Sequence, residues 1–252
     1  MTKIAAQLYT IQEFLQTPKE IAESLKKVAQ IGYEAVQVSG LGSIDTRELK
    51  KILDGEGLKV CATHVGFKEL RDNFEAIIEY QEILDCDFVA IGIMPEEYRH
   101  EVGYQRFAEE VNPIAHQLHD ADVMFGYHNH SFELERYGKK TGLEILFAAC
   151  DPKFVTAEFD TYWLQNGGAD PIIWIEAFHG RVPVIHLKDM KAQGNNSIMA
   201  EVGEGNMNWQ GIIAACKEAG TRWYVVEQDY CQGDPFESLA ISFKNLKAMG
   251  LK

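Results

Sequence analysis

Acidic and imidazole side chains that end short apolar runs are the groups in this chain best placed to do chemistry. Four such segments occur in order: Tyr127-His128-Asn129-His130-Ser131-Phe132-Glu133, Phe159-Asp160-Thr161-Tyr162-Trp163, His186-Leu187-Lys188-Asp189 and Glu227-Gln228-Asp229. They offer Glu133 or His128, then Asp160, His186 and Glu227. Any one of these alone reads as readily as a helix cap or a structural hydrogen bond; four in consecutive segments read as a set. Carboxylates gathered at the ends of apolar strands repel one another unless a positive charge lies between them, and a divalent cation supplies it. Three carboxylates and one imidazole suit Mn²⁺, Co²⁺, Fe²⁺ or Zn²⁺, with Mg²⁺ also compatible, and the expectation is one divalent ion with Mn²⁺ favoured.

Such an ion chelates a carbonyl oxygen and a neighbouring hydroxyl and acts as a Lewis acid on both. A carboxylate then removes the proton from the carbon beside the carbonyl, and a second group returns it. Return to the opposite face epimerises, return to the neighbouring carbon isomerises, and departure of a β-hydroxyl dehydrates. Glu133 and Glu227 are the expected proton carriers, with His128 as a further catalytic candidate. Gln7, His64, His130, Trp163, Lys188 and Gln228 are the expected substrate contacts. Lys188 lies two residues past His186 and so shares its face on a strand. Asp189 is a candidate for orienting Lys188.

These groups need a scaffold that brings strand ends together. Eight β-rich runs are legible, at Ile4–Leu8, Ala35–Ser39, Lys59–His64, Phe88–Ile93, Met124–His128, Phe154–Phe159, Val182–Leu187 and Trp223–Glu227. Several are almost wholly apolar, as strands of a parallel sheet covered on both faces are. Helical patterns separate them. Thr17-Pro18-Lys19-Glu20, Asp45-Thr46-Arg47-Glu48, Asp170-Pro171 and Asp234-Pro235-Phe236-Glu237 are helix starts. Gly32, Gly57 and Gly220 are helix stops. Strand and helix alternate eight times in 252 residues, the size of an α/β (β/α)8 TIM barrel, read here as one domain spanning residues 1–252. In that fold the reactive face is at the carboxyl ends of the strands, where the four segments fall. An open doubly wound sheet is the alternative, but no GxGxxG follows the first strand.

Composition narrows the partners. The formal net charge of −14 argues against a phosphate-backbone ligand, so no nucleic acid is expected. No run is long and apolar enough for a membrane helix, and the N-terminal residues do not read as a secretory signal. Cys61, Cys86, Cys150, Cys216 and Cys231 are odd in number and never spaced as CxxC, which fits reduced thiols in a cytoplasm. The expected partner is a neutral or weakly charged small molecule, with a homo-oligomer also compatible. The loop around Gly203-Glu204-Gly205 is acidic and offers no convincing phosphate cradle, so an unphosphorylated substrate is favoured.

The four segments, together with Val202-Gly203-Glu204-Gly205, resemble the xylose isomerase-like TIM barrel superfamily. The nearest resemblance is to its sugar phosphate isomerase/epimerase group and the related inosose dehydratases. The resemblance runs through nearly the whole chain. It implies a Glu-Asp-His-Glu metal site at the carboxyl face, with the two Glu doubling as proton carriers. The implied activity is a metal-dependent isomerase or epimerase on a keto-sugar or polyol. A lyase acting on an inosose-like ketone or a 3-keto-glycoside is the runner-up. This chain departs from the pattern at the fifth strand, where His128-Asn129-His130 stands in place of a Glu-Asn-His. Glu133 is the preferred replacement ligand; the alternative has His128 on the metal and Glu133 against substrate.

Overall fold

The structure, a computed structural model, describes residues 3–251. Eight parallel strands close into a barrel: β1 (Lys3–Gln7), β2 (Ala35–Val38), β3 (Lys59–His64), β4 (Phe88–Ile91), β5 (Met124–His128), β6 (Val155–Asp160), β7 (Val184–Leu187) and β8 (Trp223–Val226). Each pairs with its sequence neighbour, and β8 pairs back onto β1 through Lys3↔Trp223 to Ala6↔Val226. The helices Pro18–Ile31, Thr46–Gly55, Glu101–Asp120, Gly142–Ala149, Trp209–Ala219 and Pro235–Ala248 pack outside, and helix pairs follow β3 and β6. This is the (β/α)8 barrel that the alternation required.

The local signals operate as their chemistry dictates. Thr17, Asp45, Asp170 and Asp234 each accept a hydrogen bond from the first turn of the following helix, satisfying a backbone donor that has no partner within the helix. Gly32 ends the first helix at φ +117°, a left-handed conformation that a side chain would strain.

Alternation along each strand divides two environments. Outward residues such as Val36, Val89, Phe159 and Ile185 form the core between barrel and helices. Inward residues in the lower barrel are small: Ala5, Ala35, Cys61, Ala90, Val184 and Val225, with Phe88 filling the centre. Gly126 makes room for that ring, since a Cβ there would sit 2.3 Å from Phe88 Cζ. The plug closes the barrel from below and leaves the inward positions of the top layer to polar side chains. Gln7, Gln37, His128, Glu158, Asp160, His186 and Lys188 are all fully or almost fully buried there.

Two antiparallel hairpins lie beyond the barrel strands, Arg136–Tyr137 with Lys140–Thr141 and Asp189–Gln193 with Asn196–Ala200. Neither is among the strands read from the sequence. For the second, the signal is a Gly194-Asn195 turn, with Gly194 at φ +61°.

Candidate metal centre

Four side chains meet at the carboxyl end of the barrel: His128 from β5, Asp160 from β6, His186 from β7 and Glu227 just past β8. One donor atom from each lies within 4.8 Å of all the others, and all four residues are buried. His128 Nε2 is 3.6 Å from Asp160 Oδ2 and 4.0 Å from Glu227 Oε2, while His186 Nδ1 is 2.9 Å from Glu227 Oε2 and 3.9 Å from Asp160 Oδ2.

Each member is oriented by its surroundings. His128 faces the Gly92 carbonyl with Nδ1 at 3.1 Å, so Nδ1–H donates and the lone pair resides on Nε2. Burial, helped by the neighbouring His186, pushes its pKa well below the ordinary value and keeps the ring neutral. Asp160 accepts from the Trp163 amide through Oδ1 at 3.0 Å and turns Oδ2 inward. Its own amide donates to Asn129 Oδ1, tying the end of β6 to β5. Thr161 Oγ1 spans the carbonyl of His186 at 3.2 Å and that of Lys188 at 3.0 Å, tying β6 to β7. His186 Nε2 donates to Gln37 Oε1 at 2.7 Å, and Gln37 Nε2 donates to Glu158 Oε1 at 2.8 Å, which leaves Nδ1 aimed at the cluster.

The charges are arranged around the same point. Burial alone would raise the pKa of Glu227, but Lys188 and His186 outweigh it and hold the carboxylate well below its usual range. Asp160 shifts the other way: burial and the adjacent Glu227 push it up against the pull of Lys188. Burial opposes protonation of His186, yet Glu158 and Glu227 on its two sides lift it to about 10. Around this point the carboxylates of Glu158, Asp160, Glu227 and Asp229 are set against Lys188 and His186. Among the described residues His128 Nε2 and Asp160 Oδ2 are buried and without a hydrogen-bond partner. A neutral imidazole lone pair, a carboxylate oxygen without an aligned hydrogen bond, a second imidazole and a second carboxylate form an oxygen/nitrogen donor set that fits a divalent cation. The hydrogen bonds to Gly92 and Gln37 are of the kind that orient metal-binding histidines.

Glu133 does not join this group. It is fully buried, with Oε1 accepting from Tyr127 Oη at 2.6 Å and Oε2 from the His130 amide at 2.9 Å. Both oxygens are occupied in fixing the turn after β5. Its five-residue offset from His128 carries it into the short helix Phe132–Leu134 and away from the inward face, so His128 fills the strand-five position in the cluster. Burial raises the Glu133 pKa to about 7.

The expected substrate contacts divide. A cavity of roughly 310 Å³ beside the cluster is lined by His64, Gly92, His128, His130, Glu227 and Asp229, with Tyr9, Ser39 and Ile93 at its walls. His64 and His130 thus reach the cavity. Trp163 packs against His130 at 5.4 Å between ring centroids and lies beneath the Lys188 ammonium at 5.2 Å. Gln7 is sealed, its Oε1 capping the turn at Tyr9, and Gln228 spends its side-chain amide on the Tyr230 carbonyl. Asp189 does not orient Lys188. Its carboxylate collects the amides of Gly203, Gly205 and Met207 and the Trp209 indole, and so folds the loop before the helix Trp209–Ala219. The backbone donors a phosphate would need there already point at Asp189.

Two site residues escaped the sequence reading. Glu158 lies two residues before Asp160 and therefore on the same inward face; it bonds His64 Nε2 at 2.5 Å. Its alternation with Asp160 was the available signal. Gly92 both accepts from His128 and leaves space for His64, whose Nδ1 would lie 2.7 Å from a Cβ at that position.

The fold and site together define a closed (β/α)8 barrel with a buried His-Asp-His-Glu cluster, a candidate metal centre, at its carboxyl end. The chain belongs to the xylose isomerase-like TIM barrel family, whose profile matches residues 25–249. It is 22% identical to an inosose dehydratase of Lacticaseibacillus casei, over 95% of this chain and 94% of that one. Its fold matches that of a sugar phosphate isomerase/epimerase from Parabacteroides distasonis with a TM-score of 0.80 at 24% identity, covering 100% of this chain and 96% of the other. It also matches an L-ribulose 3-epimerase at TM-score 0.74 and 15% identity, covering 98% and 94%. Among the described residues no helix is long and apolar enough to cross a membrane.

Proposed function

We propose that this chain is a metal-dependent lyase that dehydrates a cyclic keto-polyol of the inosose kind or eliminates from a 3-keto-glycoside. The observation that carries this reading is the distribution of proton carriers around the cavity. Glu227 and Asp229 are the carboxylates lining it among the described residues, and both follow β8. The same cavity is lined by the imidazoles of His64, His128 and His130, with His128 Nε2 4.0 Å from Glu227 Oε2. With Glu133 sealed behind Tyr127, the Glu133–Glu227 pair expected to carry protons for epimerisation does not line the cavity together. One carboxylate base facing imidazoles suits proton abstraction coupled to protonation of a leaving group. The sequence relatives named inosose dehydratases support the same choice.

His128, Asp160, His186 and Glu227 would hold the ion. When bound, the ion polarises the substrate carbonyl and makes the adjacent carbon more acidic. Glu227, kept ionised by Lys188 and His186, takes the proton from that carbon. His64, with Nε2 against the Glu158 carboxylate, lines the cavity and is placed to deliver a proton to the departing oxygen. His130 lies against Trp163 and borders the substrate.

One observation favours epimerisation as a second reading. His130 is pushed down to about 3, chiefly by burial, and its Nδ1 is unpartnered among the described residues, so it is a neutral acceptor lining the same cavity as Glu227. Incubation of the Mn²⁺-loaded protein with inososes, 3-keto-glycosides and ketohexoses in D₂O separates the two. The lyase reading expects loss of water or release of an aglycone. Deuterium in a product of unchanged composition would instead establish the epimerase. Inertness toward every keto-substrate would contradict both.

A further inference from the structure

Lys188 places a fixed positive charge beside a cluster built to hold a cation. Its Nζ lies 2.9 Å from Asp160 Oδ2 and 2.9 Å from Glu227 Oε2, the two oxygens that face His128 Nε2 and His186 Nδ1. It also donates a hydrogen bond to Asp229. We propose that Lys188 is a built-in placeholder for the metal: it holds Asp160 and Glu227 together in the metal-free protein, competes with a divalent ion for their oxygens, and falls back on Asp229 when the ion enters. The inference rests on reading His128, Asp160, His186 and Glu227 as the metal centre.

The ammonium has nowhere else to go. Lys188 is fully buried, its backbone is pinned to Thr161 Oγ1 through both N–H and C=O, and its head lies over the Trp163 ring. The strand alternation that points His186 inward points Lys188 the same way. The approach to Asp160 Oδ2 is an ion pair out of hydrogen-bonding alignment, whereas the contact to Asp229 is aligned. Asp229 is therefore the better hydrogen-bond acceptor, and its side chain is 27% exposed on the cavity wall. Two consequences follow from the charges. The buried carboxylates already have a cation, so folding does not wait for metal, unlike small domains whose metal is part of the folding reaction. A dication entering within a few ångströms of an ammonium meets direct repulsion, so its affinity is reduced and its exchange is easy.

The test measures Mn²⁺ affinity of the purified, chelator-stripped protein by the paramagnetic resonance signal of free Mn²⁺, with thermal unfolding of the same samples. Lys188→Met is expected to bind Mn²⁺ about tenfold or more tightly than the natural chain, because the repulsion is removed. The metal-free variant is expected to melt lower and to gain more on Mn²⁺ addition. A disrupted site would lose affinity, so the gain separates this role from a merely structural one. Lys188→Gln serves where the Met variant does not fold. Equal or weaker binding by both variants overturns the inference while leaving the metal centre intact. Binding by a variant but not by the natural chain supports it in its strongest form. Binding by neither overturns it together with the metal reading. Crystals of the natural chain provide a measurement without a variant: with Mn²⁺ added, Nζ is expected to draw away from Asp160 and Glu227 while keeping Asp229, and an unmoved Nζ contradicts the proposal.

Discussion

His128 Nε2 and Asp160 Oδ2 face each other at 3.6 Å, both buried and neither hydrogen-bonded among the described residues. Leaving a buried group such as His128 Nε2 unsatisfied costs about 1–3 kcal/mol, whereas Asp160 Oδ2 has the Lys188 ammonium at 2.9 Å as an ion-pair partner. His128→Ala is expected to weaken Mn²⁺ binding about 100-fold or more, since it removes one donor outright, while Glu133→Gln leaves the affinity within a few-fold. Isothermal titration with both variants checks this. The reverse ranking would return the strand-five ligand to Glu133.

Gln37 never reaches the cluster, yet it fixes the His186 tautomer by accepting from Nε2. Partners of that kind are worth about 10- to 100-fold in metal affinity. Gln37→Ala is expected to lose that amount, and also to lower the melting temperature of the metal-free protein, because buried His186 Nε2 and Glu158 Oε1 lose their partner. Unaltered affinity would mean that His186 is oriented by other contacts.

Metal entry must displace a proton. His186 is lifted to about 10 by Glu158 and Glu227 and so carries a proton at neutral pH in the absence of metal. Ligation at Nδ1 expels it. Mn²⁺ affinity is therefore expected to rise with pH, by about tenfold per unit between roughly pH 6.5 and 8.5. Dissociation constants measured across that range in non-chelating buffers give the slope, and a flat profile contradicts ligation by His186.

Glu133 affects stability in the opposite sense from an ion-paired acid. Its folded pKa is raised to about 7 by burial, above the unfolded value, so below about pH 4.5 the proton it binds adds fully to stability. That contribution is lost as the unfolded chain ionises first, between pH 4.5 and 7, and amounts to about 3 kcal/mol at 1.36 kcal/mol per unit. The natural chain minus Glu133→Gln, compared in urea unfolding across that window, should fall with rising pH. A difference that rises with pH would show that the carboxylate is stabilised as an anion.

Asp189 accepts the Trp209 indole and several amides of the loop that begins at Gly203. Asp189→Ala strands these donors and is expected to cost about 3 kcal/mol or more, measured as a shift in the urea midpoint. A cost below about 1 kcal/mol would show that water replaces the carboxylate without penalty.

The barrel was legible because its signals are local and repeated. Thr17, Asp45, Asp170 and Asp234 announce helices, and continuous apolar runs announce parallel strands. Asp160, His186 and Glu227 were legible because strand-end position alone locates them on the reactive face. Glu133 was misplaced because the turn after β5 folds its side chain under Tyr127, and sequence spacing carries no information about where a turn points. Asp189 was misassigned for a related reason: the donors it collects come from Gly203 to Trp209, and only the folded loop brings them together. Glu158 was overlooked although its two-residue offset from Asp160 put it on the inward face. The Lys188 contacts depend on three strands at once and have no signature within any one segment.

Anomalous diffraction at the manganese edge from Mn²⁺-soaked crystals tests the central claim most directly. The expected result is one peak bonded to His128 Nε2, Asp160 Oδ2, His186 Nδ1 and Glu227 Oε2, with Glu133 still held by Tyr127. A peak on Glu133, or full soaking with no peak among these four residues, would contradict the account.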